Sequence, residues 1–90
     1  MSKREKLLEK ARTGPASLSF DDLCALANQL GFVFLRSAGS HFIYRHPAHA
    51  SSLMNFQNFK GKAKKFQVEQ LLEFYDTHLK ATVEAQTTKE

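Results

Sequence analysis

Apolar residues recur at helical spacing in two stretches of the chain, and between them lies a region rich in β-branched and aromatic side chains. Leu23, Leu26, Ala27 and Leu30 follow i, i+3, i+4, i+7, which predicts a helix with one buried face. Ser19 with Asp22 three positions on marks its start, Leu18 and Leu23 stand at the spacing of a hydrophobic staple, and Gly31 supplies a C-cap. Val68, Leu71, Leu72, Tyr75 and Leu79 predict an amphipathic helix from Lys65 or Phe66 to about Lys80, docked on a sheet. Between them, Phe32 to Arg36 reads as a strand, Ser37-Ala38-Gly39 as a turn, and Ser40 to Arg45 as an antiparallel partner. Alternation places His41, Ile43 and Arg45 on one face and Phe42 and Tyr44 on the other. Both sets contain apolar residues, so alternation leaves open which face meets solvent. His46 to Ser51 reads as a loop, and Ser52 to Asn58 as a third strand carrying Leu53, Met54 and Phe56.

The ends are weaker in pattern. Ser2 and Glu5 have capping-box spacing, and Lys3 to Arg12 predicts a short charged helix stopped by Thr13-Gly14-Pro15. Its apolar side is only Leu7, Leu8 and Ala11, a stripe narrow enough to predict loose packing or service to a partner. Residues 81–90 are polar and predicted to fray. The organisation expected is therefore a helical extension over 1–17, an α+β domain over 18–80 with helices on one face of a three-stranded antiparallel sheet, and a flexible tail over 81–90.

Composition narrows the class. Ninety residues, 42% hydrophobic with eight Phe and two Tyr, suffice for one modest core, and only four Gly and two Pro argue against disorder. Cys24 is alone, which excludes an internal disulfide or a cysteine metal cluster, and its place beside the helical stripe makes it a packing residue. No apolar run approaches the roughly 18 residues of a membrane span, and the N-terminal residues lack the apolar core of a signal peptide, so a soluble cytoplasmic protein without membrane contact is expected. The net charge of +4 and pI near 9.4 lean toward polyanionic partners.

Two features carry candidate chemistry. His41 opens the second strand just past Gly39 and Ser40, held by a ladder yet open to solvent, and an imidazole can both take and give a proton near neutrality. Gly39 permits close backbone approach and Ser40 offers a hydroxyl. Lys60, Lys62, Lys64 and Lys65 sit at the start of the last helix, where the macrodipole already places positive charge; a bound phosphate would relieve that repulsion. Arg36 and Arg45 add positive charge near His41, and Phe56 or Phe59 is placed to stack on a base. RNA carries its own nucleophile in the 2′-OH, so one base plus cations suffices to cleave it, and no cofactor is required. His41, His46 and His49 lack carboxylate or thiolate ligands nearby and make a poor metal set. The same residues also fit a non-catalytic RNA-binding module, or an interaction protein whose N-terminal helix and sheet edge serve a protein partner.

The run Gly39-Ser40-His41-Phe42-Ile43-Tyr44-Arg45-His46-Pro47 resembles the G-S-H-x-x-[YF]-x-[HN]-P signature of HicA-type toxins, the mRNA interferases of bacterial toxin–antitoxin pairs. Leu30-Gly31-Phe32, Asn55-Phe56-Gln57, Gly61-Lys62-Ala63-Lys64 and Gln67-Val68-Glu69-Gln70-Leu71-Leu72 resemble blocks of one branch of that family, and the likeness spans Leu18 to Leu79. The chain departs from the family pattern in its extra residues 1–17 and in lacking a Pro-Gly-Thr start to the last helix. The resemblance implies an α-β-β-β-α fold like a double-stranded-RNA-binding domain, here with an extra N-terminal helix. It implies metal-independent cleavage of mRNA in the bacterial cytoplasm with His41 as the essential residue, and Lys62, Lys64 and Lys65 on phosphates. It also implies a toxin that is monomeric alone and hetero-oligomeric with a HicB-type antitoxin that covers the site.

Overall fold

The computed structural model describes residues 2–80, so the predicted fraying of 81–90 lies outside the described residues. Helices α1 (Lys3–Thr13) and α2 (Phe20–Gln29) precede three antiparallel strands, β1 (Val33–Ala38), β2 (His41–His46) and β3 (His49–Gln57), in the spatial order β1-β2-β3. Helix α3 (Lys65–Phe74) follows and ends in a π-helical turn, Tyr75–Leu79. The class is α+β, with three antiparallel strands and three helices. No helix among the described residues is long and apolar enough to cross a membrane.

Helix α2 forms for the reasons its sequence states. Ser19 Oγ accepts the Asp22 N–H at 3.1 Å, and Leu18 and Leu23 are both buried. Gly31, at φ +98°, ends the helix: its N–H reaches the Asn28 carbonyl and the Phe32 N–H the Ala27 carbonyl, the paired bonds of a Schellman cap. Leu23, Leu26 and Ala27 then meet Val68 and Leu71 of α3 and Tyr44, Met54 and Phe56 of the sheet in one core.

This core decides the question that alternation left open. Phe42 and Tyr44 face the helices, and His41, Ile43 and Arg45 lie on the uncovered face. The Tyr44 hydroxyl is hydrogen-bonded to Cys24; burial first, and that bond second, hold its pKa well above the usual phenol range. Burial likewise pushes the Cys24 thiol up, so Cys24 acts as a packing residue.

Four expectations need correction. Helix α1 is not loosely attached: Leu7, Leu8 and Ala11 are buried against α2 and α3. Each of its two leucines contributes roughly 1.5–3 kcal/mol of burial, far above the 0–1 kcal/mol typical of exposed pairs such as Lys10–Asp22 and Arg12–Asp76. The third strand begins at His49, not Ser52, because the second hairpin turns tightly at Pro47–Ala48 instead of through a long loop. The first two strands start and end one or two residues later than read, at Val33–Ala38 and His41–His46. The last helix is α-helical only to Phe74, where the Tyr75 N–H is shared between the Leu71 and Leu72 carbonyls and the wider turn begins.

Candidate functional site

The β1–β2 connection sets up one end of the sheet. Ala38 pairs with His41 across a two-residue turn of Gly39 and Ser40, and Gly39 has φ +61°, the glycine-first pattern of a tight hairpin. No atom lies within 4 Å of a Cβ built at Gly39, so backbone conformation alone requires the glycine and the turn stands open to a ligand. His41 is half-buried on the uncovered sheet face, and its Nδ1 lies 3.0 Å from Asn55 Oδ1 on β3. An amide oxygen only accepts, so this hydrogen bond requires a proton on Nδ1, and in the neutral imidazole it leaves Nε2 as the nitrogen with the lone pair. No local sequence pattern marks Asn55 for this role. Its partnership depends on the β2–β3 register, which places it opposite Ile43 and one step from His41.

The lysine segment reaches the same end through β3. Gln57 is the cross-strand partner of His41, and the next N–H, of Asn58, donates to the Ser40 carbonyl at 2.8 Å. Phe59 and Lys62 then exchange both backbone bonds (3.0 and 2.9 Å) around Lys60 and Gly61. Lys60 at φ +54° and Gly61 at φ +84° give a turn with two left-handed residues, for which Asn-Gly is the favoured pair. A lysine held there costs about 1–2 kcal/mol in backbone strain, and among the described residues it is the one non-glycine with positive φ. The turn is firmly held nonetheless. Asn58 Oδ1 accepts the Gly61 N–H, the Gly61 carbonyl accepts the Phe20 N–H, and the Leu18 carbonyl accepts the Ala63 N–H.

Helix α3 starts immediately after, with Lys64 at its N-cap position, no side-chain cap and no acidic residue in its first turn. Buried Gln67 fixes that start against the sheet: its Oε1 accepts the Gln57 N–H at 2.7 Å, satisfying an outward donor of the edge strand. Lys60, Lys62 and Lys65 are exposed, and Lys64 is half-buried with its ammonium 4.8 Å from the Phe59 ring centre.

The structure therefore brings together His41, Gly39, Ser40 and the segment bearing Lys60, Lys62, Lys64 and Lys65. Arg36 is exposed on β1, diagonal to His41 in the register and about 7–8 Å away by strand geometry. Arg45 shares the uncovered face but stands four residues along β2, about 13 Å off, so it extends the basic face and does not join the His41 end. Phe56 is fully buried and has no free face for a base; Phe59 is half exposed.

His46 has a different task from His41. Its Nδ1 accepts the Ala48 N–H at 3.1 Å, so the proton is on Nε2, which donates to the Leu30 carbonyl at 3.2 Å. Burial first, and the neighbouring His49 as a lesser cause, lower its pKa, although the Leu30 bond opposes the shift. His41 and His46 occupy opposite ends of β2, about 16 Å apart along the strand, and no group of three His, Cys, Asp or Glu among the described residues is arranged to hold a metal ion.

One signal of this end was readable in the chain. Between Asp22 and Glu69 there is no carboxylate, while Arg36, Arg45, Lys60, Lys62, Lys64 and Lys65 all fall there. Every acidic residue among the described ones sits on a helix or its π-helical extension, so the charged side chains of the sheet and the α3 entry are cationic. No protein-family model matches the chain, and no curated protein or solved structure is significantly similar to it.

Proposed function

We propose that the protein is an RNA-cleaving toxin of the HicA type, with His41 as the base that activates a ribose 2′-OH. One observation carries this reading: a histidine whose tautomer is set by Asn55 opens the strand whose preceding turn is hydrogen-bonded to the lysine segment. The order α2, three antiparallel strands and α3 agrees with a double-stranded-RNA-binding-domain-like fold, to which α1 is added. The carboxylate-free stretch from β1 to the start of α3 supports a polyanionic ligand.

The reaction follows from the donors present. His41 Nε2 takes the proton of a 2′-OH, the 2′ oxygen forms a bond to the adjacent phosphorus, and the bond from phosphorus to the 5′ oxygen breaks. The products are a 2′,3′-cyclic phosphate and a 5′-hydroxyl, the latter completed by a proton from water. Lys60, Lys62, Lys64 and Lys65, with Arg36, hold the phosphates and offset the charge that grows on the phosphoryl oxygens. Gly39 and Ser40 shape the open turn. The uncovered face with exposed Val33 and Leu53 beside Arg36 and Arg45 would take a carboxylate-bearing protein, the role of a HicB-type antitoxin in the bacterial cytoplasm.

The test is cleavage of an oligoribonucleotide with EDTA present, beside the same sequence carrying 2′-deoxyribose throughout. Cleavage of the ribose strand alone, leaving 5′-hydroxyl ends, is expected. Salt-sensitive binding without cleavage of either strand would replace this reading by a non-catalytic RNA-binding module.

A further inference from the structure

Six of the eight phenylalanines pack against another aromatic ring: Phe20, Phe32, Phe34, Phe42, Phe56 and Phe74. Phe59 and Phe66 stack on no ring among the described residues, and their exposures are 51% and 62%. Both lie in the one segment that carries Lys60, Lys62, Lys64 and Lys65. Neither ring belongs to the buried core, and both leave apolar surface in water among ammonium groups. That pairing of π-faces with phosphate partners is the arrangement by which proteins hold unpaired nucleotides, the rings taking bases and the cations taking the backbone.

We infer that the segment from Phe59 to Phe66 is a binding platform for single-stranded RNA, with Phe59 and Phe66 as base-stacking faces; this rests on the RNA reading above and specifies its substrate class. A duplex keeps its base faces inside its own stack and presents only phosphates, hydroxyls and groove edges, so it would use the lysines and leave both rings idle. Unpaired nucleotides use both. The Lys64 and Lys60 ammonium groups lie over the Phe59 ring, 4.8 and 5.6 Å from its centre, as cation–π contacts; a base that stacks on the ring displaces them and frees both for its flanking phosphates. Lys60 owes its position to the left-handed turn, a strained conformation that keeps a cation where Asn would suit the backbone better. The Asn58 N–H is bonded to the Ser40 carbonyl, so the platform adjoins the turn that precedes His41. The platform thus selects loops, ends and unstructured stretches of RNA over helices.

The experiment measures affinity by fluorescence anisotropy for three RNAs of equal charge, using the full chain with His41→Ala so that nothing is consumed. The probes are an oligouridylate, an abasic ribose-phosphate strand of the same length, and a duplex with the same number of phosphates. The base-bearing strand should bind roughly 10-fold or more tightly than the abasic one. Phe59→Leu and Phe66→Leu should each weaken the base-bearing strand about 5-fold or more and leave the abasic strand unchanged. Lys60→Gln should weaken both alike. Both rings are exposed, so the leucine variants keep the fold, which their thermal midpoints will show. Equal affinity for base-bearing and abasic strands, or competition by polyglutamate as effective as by RNA, overturns the stacking platform while the nuclease reading stands. No affinity for any of the three overturns both.

Discussion

Replacing Gly31 by Ala puts a methyl group where two structural demands meet. The residue sits at φ +98°, and a Cβ there would lie 3.0 Å from His46 Nε2, the nitrogen that donates to the Leu30 carbonyl. Left-handed strain accounts for about 1–2 kcal/mol. Displacing His46 forfeits a hydrogen bond worth about 0.5–1.5 kcal/mol net. The sum, roughly 1.5–3.5 kcal/mol, corresponds to a drop in Tm of about 6–28 °C for a domain of this size. The two contributions separate in a double-mutant cycle with His46→Ala, measured by urea and thermal unfolding. In the His46→Ala background the clash is gone, and Gly31→Ala should then cost only its backbone strain, a coupling of about 1 kcal/mol. A Tm drop below about 3 °C, or the same drop in both backgrounds, would refute the role given to His46 as the clasp between α2 and the β2–β3 turn.

His46 also sets an acid sensitivity: burial lowers its folded-state pKa, while the unfolded chain keeps the ordinary value near 6.5. The unfolded state therefore binds the proton first, so stability is full above about pH 6.5 and declines as pH falls below it; His46→Gln should flatten urea-derived stability between pH 7.5 and 5. Asp76, held low by Arg12, gives way only below about pH 4 and leaves that window clear. Asn55→Leu should lower kcat roughly 2- to 12-fold, the worth of one neutral hydrogen bond, with KM unchanged, and ¹⁵N imidazole shifts should show the His41 proton leaving Nδ1. Leu7→Ala should destabilise by about 2–4 kcal/mol in urea unfolding, as a core residue does; a change under 0.5 kcal/mol would return α1 to the status of an appendage.

What the chain made legible is what local rules govern. The capping serine, staple and Schellman glycine of α2 each act within a few residues, and all appear in the structure as the spacing predicts. The sheet was readable as three strands, but not which face is open, because Phe42 and Tyr44 and the set with Ile43 are both apolar and only docking of α2 and α3 decides between them. The early start of β3 was hidden because the turn is closed by the His46 side chain accepting the Ala48 N–H, a bond that no periodicity records. Helix α1 looked detachable because only Leu7, Leu8 and Ala11 are apolar, yet the groove between α2 and α3 needs no wider stripe. His41 and the lysines could be named from sequence. Their meeting at one end depends on the Asn58–Ser40 bond and on Gln67 fixing α3 to β3, both products of register and packing.

The central claim is that His41 activates the 2′-OH on a surface that binds RNA without it. The most direct measurement incubates the wild-type chain and His41→Ala with RNA in EDTA, with Tm and RNA affinity recorded for both. The account predicts wild-type cleavage, a loss of about 10²- to 10⁴-fold in the variant, and unchanged Tm and affinity. A folded His41→Ala chain that cleaves at the wild-type rate would contradict it.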